Sequence, residues 1–420
     1  MKALLTQPWP LLLALLVFTA CGEDEDLIPQ PRTDFSELED EWVRLTLLRD
    51  NEIELIQANT GASISTVAVP LTEGARYYTS NSGRYLVVTE RADNRLRFFD
   101  SGVVNHEDHG HQEAVGWLDM SVEAPLPTHY AGSEGHIVIF NDGDGSITYV
   151  NEAQLELPTY TPRVYTFPTV AHHGAGFRLR TGQFVTTFKE EGAEPGGLPQ
   201  MVKFLDTDGS LIDENGGVVV GGIHGDAVNG NYGVFGSTDG VILVDGQRNI
   251  ELIPNTEGLR DTSGFWIGTL KGHDDAPNFF GRARSVGTFM IDPQARTMTP
   301  LYEGADVVGD MMSFDGDHYI VHTDDNRVRV YSSTDGSLVA ERTVEMMNIP
   351  DPSTGEPVSV VDQEMMENDP VLRASDNYLY ILGPSRTDIK VLDIETLEHV
   401  HTITLDRPVD SIAKNGFTTR

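Results

Sequence analysis

Cysteine is almost missing from this chain, since Cys21 is the only one among 420 residues. A single cysteine cannot form a disulfide within the chain, so the folded part must be stabilised by its apolar core. Ligation of a metal by several thiolates is excluded for the same reason. Any metal ligands must therefore come from histidine and carboxylate side chains.

Positive charge is also scarce, with 29 Lys and Arg residues against 65 Asp and Glu and a formal net charge of −36 at pH 7. Such a surface repels nucleic acid and anionic lipid headgroups, which excludes nucleic acid as a partner. It attracts cations, but solubility in a salty habitat explains the acidity equally well. The composition alone therefore does not argue for a metal.

Long apolar runs are confined to the N-terminus. The run from Pro10 to Ala20 is too short to span a bilayer and is typical of a secretory signal. The stretch "FTAC", ending at Cys21, resembles the lipobox of a bacterial lipoprotein. The resemblance implies a lipoprotein signal peptide over residues 1–20, a lipid anchor on Cys21 as the only membrane contact and, because Gly22 follows, the outer membrane. An ordinary signal peptide cleaved nearby is the alternative.

Helical periodicity is rare as well. Residues 21–41 are acidic and contain proline, which predicts a flexible tether. From residue 42 onward, strand–turn–strand units recur at intervals of about 40–60 residues, which is typical of a β-propeller. Seven such units begin at Gly83, Gly135, Gly182, Asn231, Gly268, Asp317 and Asp376. The prediction is an all-β, seven-bladed β-propeller over residues 42–420, with Trp42–Gly61 supplying outer strands of the last blade to close the ring.

Two acidic turns could be mistaken for calcium loops. In "DGDG", which begins at Asp142, Ile147 and Ala153 occupy the positions where an EF-hand needs Gly and Glu. The "DTDG" stretch from Asp206 fails the same test. Both are predicted to be tight hairpin turns.

Histidines recur in phase with the blades. His129, the pair His172 and His173, and His224 each precede a blade strand, with 44 residues between His129 and His173 and 51 between His173 and His224. Equivalent positions in successive blades lie around the propeller axis, so we expect three imidazoles to meet at the channel mouth and to bind a metal such as Zn²⁺. His173 is the expected ligand of the pair, because its offset to the next glycine matches that of His224.

Asp226, two residues after His224, is predicted to be a fourth ligand or an acceptor that fixes an imidazole tautomer. The alternative for all these histidines is that they simply donate to backbone carbonyls. Five further histidines are interpreted as blade or surface residues: His136, His318, His322, His399 and His401.

The stretch "NHEDHGHQE", residues 105–113, concentrates His106, His109 and His111 in a charged loop. We expect it to be an accessory loop over the channel-mouth site that gathers or passes on metal, and a solvated polar loop is the alternative. The "GHDD" stretch, Gly272–Asp275, is a weaker candidate of the same kind.

Four stretches together resemble the periplasmic zinc metallochaperones of the AztD type: "LPTHYAGSEGHIVIFNDGDGSITYV", "VAHHGAGFRLRTGQFV", "GGIHGDAVNGNYGVFGSTDGVIL" and "GTLKGHDDAPNFFG". These are propellers that hand zinc to the solute-binding protein of a zinc ABC transporter. The resemblance implies zinc binding by His129, His173, His224 and the loop histidines, that transporter protein as partner, and a periplasm-facing or outer-membrane location in the bacterial cell envelope.

Three functions remain open on sequence alone. The first is a non-enzymatic zinc chaperone or store. The second is a metal-dependent hydrolase or lactonase in which Asp226 or Glu107 serves as general base. No Gly-x-Ser-x-Gly stretch supports serine chemistry. The third is an interaction propeller without metal, and the fold alone does not choose among the three.

Overall fold

The computed structural model describes residues 34–70, 72–212, 217–259, 265–346 and 369–419. Within these ranges the chain is all-β, as predicted, with 33 strands, one single-turn α-helix at Phe35–Leu38 and two 3-10 turns. In this described part, no helix has the length and apolar character needed to cross a membrane.

The strands are short and follow one another along the whole described chain. In chain order they are β1 (Arg44–Arg49), β2 (Glu52–Gln57), β3 (Ser63–Ala68), β4 (Arg76–Thr79), β5 (Tyr85–Glu90), β6 (Arg95–Asp100), β7 (Val103–Asn105), β8 (Gly110–Gln112), β9 (Gly116–Glu123), β10 (Pro127–Ser133), β11 (His136–Asn141), β12 (Ile147–Asn151), β13 (Arg163–Tyr165), β14 (Gly176–Arg178), β15 (Phe184–Phe188), β16 (Met201–Leu205), β17 (Ile223–Val228), β18 (Tyr232–Ser237), β19 (Gly240–Asp245), β20 (Ile250–Pro254), β21 (Ile267–Lys271), β22 (Phe279–Ala283), β23 (Gly287–Asp292), β24 (Thr297–Glu303), β25 (Val307–Met312), β26 (His318–Thr323), β27 (Arg327–Ser332), β28 (Leu338–Thr343), β29 (Val371–Ala374), β30 (Tyr378–Leu382), β31 (Asp388–Asp393), β32 (His399–Thr404) and β33 (Ser411–Asn415).

These strands form eight antiparallel blades in the described residues, plus the small hairpin β7–β8. Blade 1 consists of β4, β5, β6 and β9, and blades 2 to 7 consist of β10–β13, β14–β16, β17–β20, β21–β24, β25–β28 and β29–β32. Blade 8 joins the two ends of the chain, with β33 innermost and β1, β2 and β3 outside it. The innermost strands of most neighbouring blades contact one another, as β10 does β14 and β29 does β33, so they line the central channel.

The propeller prediction is confirmed, but the prediction of seven blades is wrong. All seven sequence units form blades, and the eighth blade is built from the termini. The last unit already has four strands of its own, β29–β32, so the N-terminal strands cannot complete it. Strand β1 pairs instead with β33, with Thr46 opposite Ala413. A single C-terminal strand has no strand–turn–strand pattern, and for that reason the repeat count missed this blade.

Apolar contacts between blades hold the ring together. Val87 and Phe98 of blade 1 join Ile137 and Ile139 of blade 2 in one buried cluster. Each fully buried side chain of this kind contributes about 1.5–3 kcal/mol. The same packing recurs between the other blades, so the channel-lining strands are held in fixed positions.

The strand directions define two ends of the channel. We call the end where the innermost strands begin the entry face, and the end where they finish the exit face. Strand β6 runs in the direction of the innermost strand β4, because both pair antiparallel with β5. The hairpin β7–β8 follows the end of β6 and therefore belongs to the exit face.

The start of the described chain also lies at the exit face, because β1 runs antiparallel to the innermost strand β33. Phe35 is only 3% exposed and stacks on His401. The buried Glu39 accepts hydrogen bonds from Ser375 and Tyr380, and burial raises its pKa. Residues 35–41 of the predicted tether thus pack on the propeller. The predicted signal peptide, residues 1–20, and Cys21 lie outside the described residues.

Candidate metal centre

Three histidines from three consecutive blades meet at the entry face. His129 lies at the start of β10, next to a break in the strand register after Pro127. His173 lies in the segment that leads into β14, and His224 lies at the start of β17, where the register also shifts. We call His129, His173 and His224 the entry triad. The equal phase of the three histidines in the repeat is the reason that they converge.

The entry triad is compact. The ring centroids are 4.8 Å apart for His129 and His173, 5.3 Å for His129 and His224, and 5.1 Å for His173 and His224. One ring nitrogen from each imidazole lies within 4.8 Å of one from each of the others. Nε2 of His129 and Nε2 of His173 are 3.2 Å apart.

Hydrogen bonds fix the tautomer of two of these imidazoles. His224 Nδ1 lies 2.8 Å from the carbonyl oxygen of Gly268, which can only accept, so Nδ1–H donates and Nε2 keeps its lone pair. His173 Nδ1 lies 2.8 Å from Oδ2 of Asp142. Burial by itself would raise the pKa of Asp142, but hydrogen bonds from His173 and Arg91 hold it below its usual value. Asp142 is therefore ionised and fixes His173 in the same way.

The donor set fits a tetrahedral zinc ion. Zinc–nitrogen bonds of about 2.0–2.1 Å at tetrahedral angles place two ligand nitrogens about 3.3 Å apart. The 3.2 Å between the Nε2 atoms of His129 and His173 matches this spacing. Burial, aided by the charges of His173 and His224, lowers the pKa of His129 to about 3. The imidazole is thus neutral near pH 7, as a ligand must be.

The glycine after His224 is required by the geometry. Gly225 adopts φ +78°, in the left-handed region that favours glycine. A Cβ at this position would lie 2.7 Å from the Gly268 carbonyl oxygen, the acceptor that anchors His224. The "HG" pair in the sequence is thus explained by the anchoring of its histidine.

Asp226 is not brought to the entry triad. The nitrogens that converge belong to the three imidazoles, and no oxygen of Asp226 joins them. Its Oδ2 is buried without a hydrogen-bond partner among the described residues. Burial raises the pKa of Asp226 to about 8, against a weaker opposing effect of the Gly176 backbone. The carboxylate that holds an imidazole of the triad is Asp142.

His172 points into the protein instead of joining its neighbour His173. It is 1% exposed, and its ring lies 5.0 Å from that of Phe140. Nδ1 donates to the carbonyl oxygen of Val170 at 2.6 Å, and Nε2 lies 3.0 Å from the Thr187 hydroxyl. Both ring nitrogens form hydrogen bonds within the protein, so neither is available to a metal. His172 thus follows the alternative in which a histidine donates to a backbone carbonyl.

The loop histidines form a second cluster at the opposite end of the channel. His106, His109 and His111 are carried by the hairpin β7–β8, with ring centroids 4.9–5.3 Å apart. Nε2 of His109 lies 3.2 Å from Nε2 of His111, and Nδ1 lies 2.7 Å from Asp108. The side chain of His109 is 56% exposed. We call the hairpin β7–β8, with its three histidines, the exit hairpin. The expectation that it covers the channel-mouth triad is wrong, because β6 ends at the exit face.

Acidic residues surround the exit end of the channel. A cavity of about 500 Å³ there is bordered by the exit hairpin and by the "GHDD" stretch, Gly272–Asp275. Its carboxylates are those of Glu107, Asp108, Asp274, Asp275, Asp315 and Asp376. Asp274 already accepts hydrogen bonds from the Ser133 hydroxyl at 2.5 Å and from the Glu134 backbone at 2.6 Å. The "GHDD" stretch therefore borders the exit mouth, far along the channel from the triad.

The five remaining histidines lie in strands β11, β26 and β32. Asp142 was not predicted as a site residue, only as part of a hairpin turn. A signal existed, because the turn between the second and third strands of a blade lies at the face where the innermost strands begin. Asn141 is indeed opposite Pro127, at the start of β10.

Comparisons with known proteins agree on the fold. No protein-family model matches the chain. Two solved structures of AztD from Citrobacter koseri, one described as apo, align with TM-scores of 0.73 and 0.72 at 17% identity, covering 90% of this chain and 99% of theirs. The dihydro-heme d1 dehydrogenase NirN aligns with a TM-score of 0.51 at 14% identity, covering 89% and 75%. The AztD resemblance stated from the sequence is thus confirmed at the level of the fold.

Proposed function

We propose that the protein is a zinc-binding propeller of the bacterial cell envelope. It acts as a zinc chaperone or store and supplies the solute-binding protein of a zinc ABC transporter. The observation that carries this proposal is the convergence of His129, His173 and His224, with two of the three rings anchored through Nδ1. Surface histidines without such a role have no reason to be anchored and to share one small volume.

Zinc is the metal that suits the donor set best. Three imidazoles without thiolates are ordinary zinc ligands and leave a fourth position open. A closed four-ligand site would hold the metal for structure, whereas an open position admits water or a ligand from an incoming protein. That arrangement suits a metal that must be handed on.

The exit hairpin would be a separate zinc site of lower affinity. Its imidazoles are exposed, and His109 is anchored by the exposed Asp108 and not by a buried carboxylate. The acidic residues of the exit mouth would raise the local concentration of cations around it. The hairpin would thus collect zinc at one face while the entry triad holds zinc at the other.

The envelope location and the partner rest on other support. The apolar N-terminal run and the lipobox-like "FTAC" support a lipid anchor on Cys21, facing the periplasm or on the outer membrane. The partner follows from the AztD resemblance of the sequence, together with the shared fold.

The direct test is zinc stoichiometry and affinity in protein purified without chelators or nickel resin. His129→Ala, His173→Ala and His224→Ala should each weaken the tightest site by at least about 100-fold. His136→Ala is the matched control, because His136 lies in blade 2 outside the triad, and it should bind as the wild type does. Unchanged affinity in all three triad variants would remove the basis of the proposal.

A transfer assay separates a chaperone from a simple store. Zinc-loaded protein is mixed with the metal-free solute-binding protein of a zinc ABC transporter, and the zinc content of both is followed. Transfer faster than spontaneous dissociation supports the chaperone. Transfer at the dissociation rate limits the protein to storage.

The two alternatives predict different outcomes in the same experiments. An interaction propeller would bind no zinc at stoichiometric amounts. A hydrolase or lactonase would turn over esters or lactones faster than free zinc does. Of the two expected general bases, Glu107 lies at the exit face, away from the triad, and no oxygen of Asp226 lies among the converging ring nitrogens. Neither arrangement favours the enzyme.

A further inference from the structure

A second, smaller cavity lies inside the channel at its exit end. Its volume is about 220 Å³, several times that of one water molecule. It is lined by the ends of innermost strands and carries two cationic side chains, Arg373 from β29 and Lys414 from β33. Two cations facing one interior cavity are unexpected in a chain with a net charge of −36.

Arg373 lacks a counter-charge. Its Nη1 donates to the carbonyl oxygen of Leu372 at 2.6 Å, and no carboxylate among the described residues forms an ion pair with it. Burial lowers its pKa to about 10, with no neighbouring charge opposing the shift. A guanidinium has five N–H donors, so most of them remain available to whatever occupies the cavity. Buried cations are normally paired, because an unpaired one is costly.

Lys414 is in a similar position. Its side chain is 3% exposed, and its ammonium donates to the carbonyl oxygen of Gly416 at 2.7 Å and lies 3.0 Å from the ring centroid of Phe314. Burial lowers its pKa to about 7, although Asp376, Glu39 and Asp315 oppose the shift from a distance. No carboxylate of the described chain is close enough to form an ion pair with Lys414.

The cavity is reached from the acidic exit mouth. The two spaces share Asn81, His273 and Phe314 in their walls. A ligand that enters therefore passes carboxylates first and meets Arg373 and Lys414 afterwards. A simple anion is repelled at the mouth, whereas a molecule that also carries an ammonium group is attracted there.

We propose that this inner cavity binds the carboxylate of a small amino acid-like zwitterion between Arg373 and Lys414. The ammonium group of the ligand faces the carboxylates of the exit mouth. None of the three triad imidazoles lines this cavity. The site uses hydrogen bonds from two basic side chains that the described chain leaves without ion pairs, and a bound carboxylate would favour the charged form of Lys414.

The test is isothermal titration of the full chain with glycine and with acetate. Glycine should bind and acetate should bind more weakly, because acetate lacks the positive group. Arg373→Gln should weaken glycine binding by about 10- to 100-fold, the loss expected for a charge-assisted hydrogen bond. Arg163→Gln is the matched control, since Arg163 is exposed on the outer strand β13, and it should bind as the wild type does.

A second variant distinguishes loss of glycine binding from loss of folding. Arg373→Lys keeps the charge and should retain part of the glycine affinity, and thermal unfolding of both variants checks that they fold. No heat with glycine, or equal glycine binding by the wild type and a folded Arg373→Gln variant, would overturn the proposal. Acetate binding as tight as glycine binding would overturn the role given to the acidic mouth.

Discussion

The two ends of the channel use the same residue type in opposite ways. At the entry face, three histidines from three blades are half-buried, and two of them are anchored through Nδ1 to Asp142 and to the Gly268 carbonyl. At the exit face, three histidines from one hairpin stand in solvent, and His109 is anchored only by the neighbouring Asp108. Proximity in sequence produced the exposed cluster, whereas the blade repeat produced the anchored one. A dense histidine stretch is thus the weaker of the two signals for a tight site.

Removing each histidine cluster in turn tests most directly which of the two binds zinc more tightly. One variant replaces His129, His173 and His224 with Ala, and the other replaces His106, His109 and His111 with Ala. Zinc at 100 times its dissociation constant should raise the free energy of unfolding of the wild type by about 2.7 kcal/mol. Urea unfolding should show this gain in the hairpin variant and not in the triad variant. Loss of the gain in the hairpin variant would reverse the ranking of the two clusters.

Acid should destabilise the metal-free protein through His129 of the entry triad. The pKa of His129 is lowered to about 3 in the folded state, so between pH 6.5 and 3 the unfolded state binds more protons. Stability of the metal-free protein therefore falls as pH drops from 6.5. From pH 6.5 to 4.5, His129 should account for a loss of about 2–3 kcal/mol.

The measurement is urea unfolding of the wild type and His129→Gln at pH 7 and pH 4.5. The variant should lose less stability than the wild type over this interval. His109→Gln, in the exposed hairpin, is the matched control and should follow the wild type. Equal losses in all three proteins would show that His129 is not held neutral by its surroundings.

Gly225, which follows His224, allows the contact that orients this histidine to be tested. Gly225→Ala places a methyl group against the carbonyl oxygen that anchors His224, whereas Gly135→Ala, at a similar φ of +72°, meets no atom within 4 Å. Both variants carry the backbone strain, so their difference isolates the contact. Gly225→Ala should be less stable than Gly135→Ala by about 1–3 kcal/mol and should bind zinc more weakly. Equal zinc affinities would mean that the Gly268 carbonyl does not orient His224.

The carboxylate that holds His173 should matter less than the imidazoles themselves. Asp142→Asn keeps the shape but removes the charge, so zinc affinity should fall by about 10- to 100-fold. Competition titration against a zinc chelator measures the change. Asp108→Asn, the equivalent change in the exit hairpin, should leave the tightest site unaffected. A larger effect from Asp108 than from Asp142 would contradict the assignment.

The smallest effect is expected for release of zinc from the entry triad after loss of the exit hairpin. Because the hairpin lies at the other end of the channel, the variant without its three histidines should release triad-bound zinc at a rate within about twofold of the wild type. Stopped-flow mixing with a chelator reports this rate. Markedly slower release would show that the hairpin reaches the triad after all.

Much of this molecule could be predicted from local sequence patterns. The errors concern features that depend on how distant parts of the chain are arranged in the fold. Seven blades follow from strand–turn–strand units, and the triad follows from the spacing of His129, His173 and His224. Blade 8 was missed because it pairs strands at opposite ends of the chain, where Thr46 bonds to Asn415. Asp142 was missed because its partner His173 lies 31 residues away in the next blade. The end of the channel at which the hairpin β7–β8 lies follows from the direction of strand β6. No sequence motif indicates that direction.

The central claim is that zinc binds at the entry triad. Crystals grown with one equivalent of zinc and measured at the zinc absorption edge test it most directly. We expect one anomalous peak, about 2.0–2.1 Å from one ring nitrogen each of His129, His173 and His224, those of His173 and His224 being Nε2. An anomalous peak at the exit hairpin, with none at the triad, would contradict this claim.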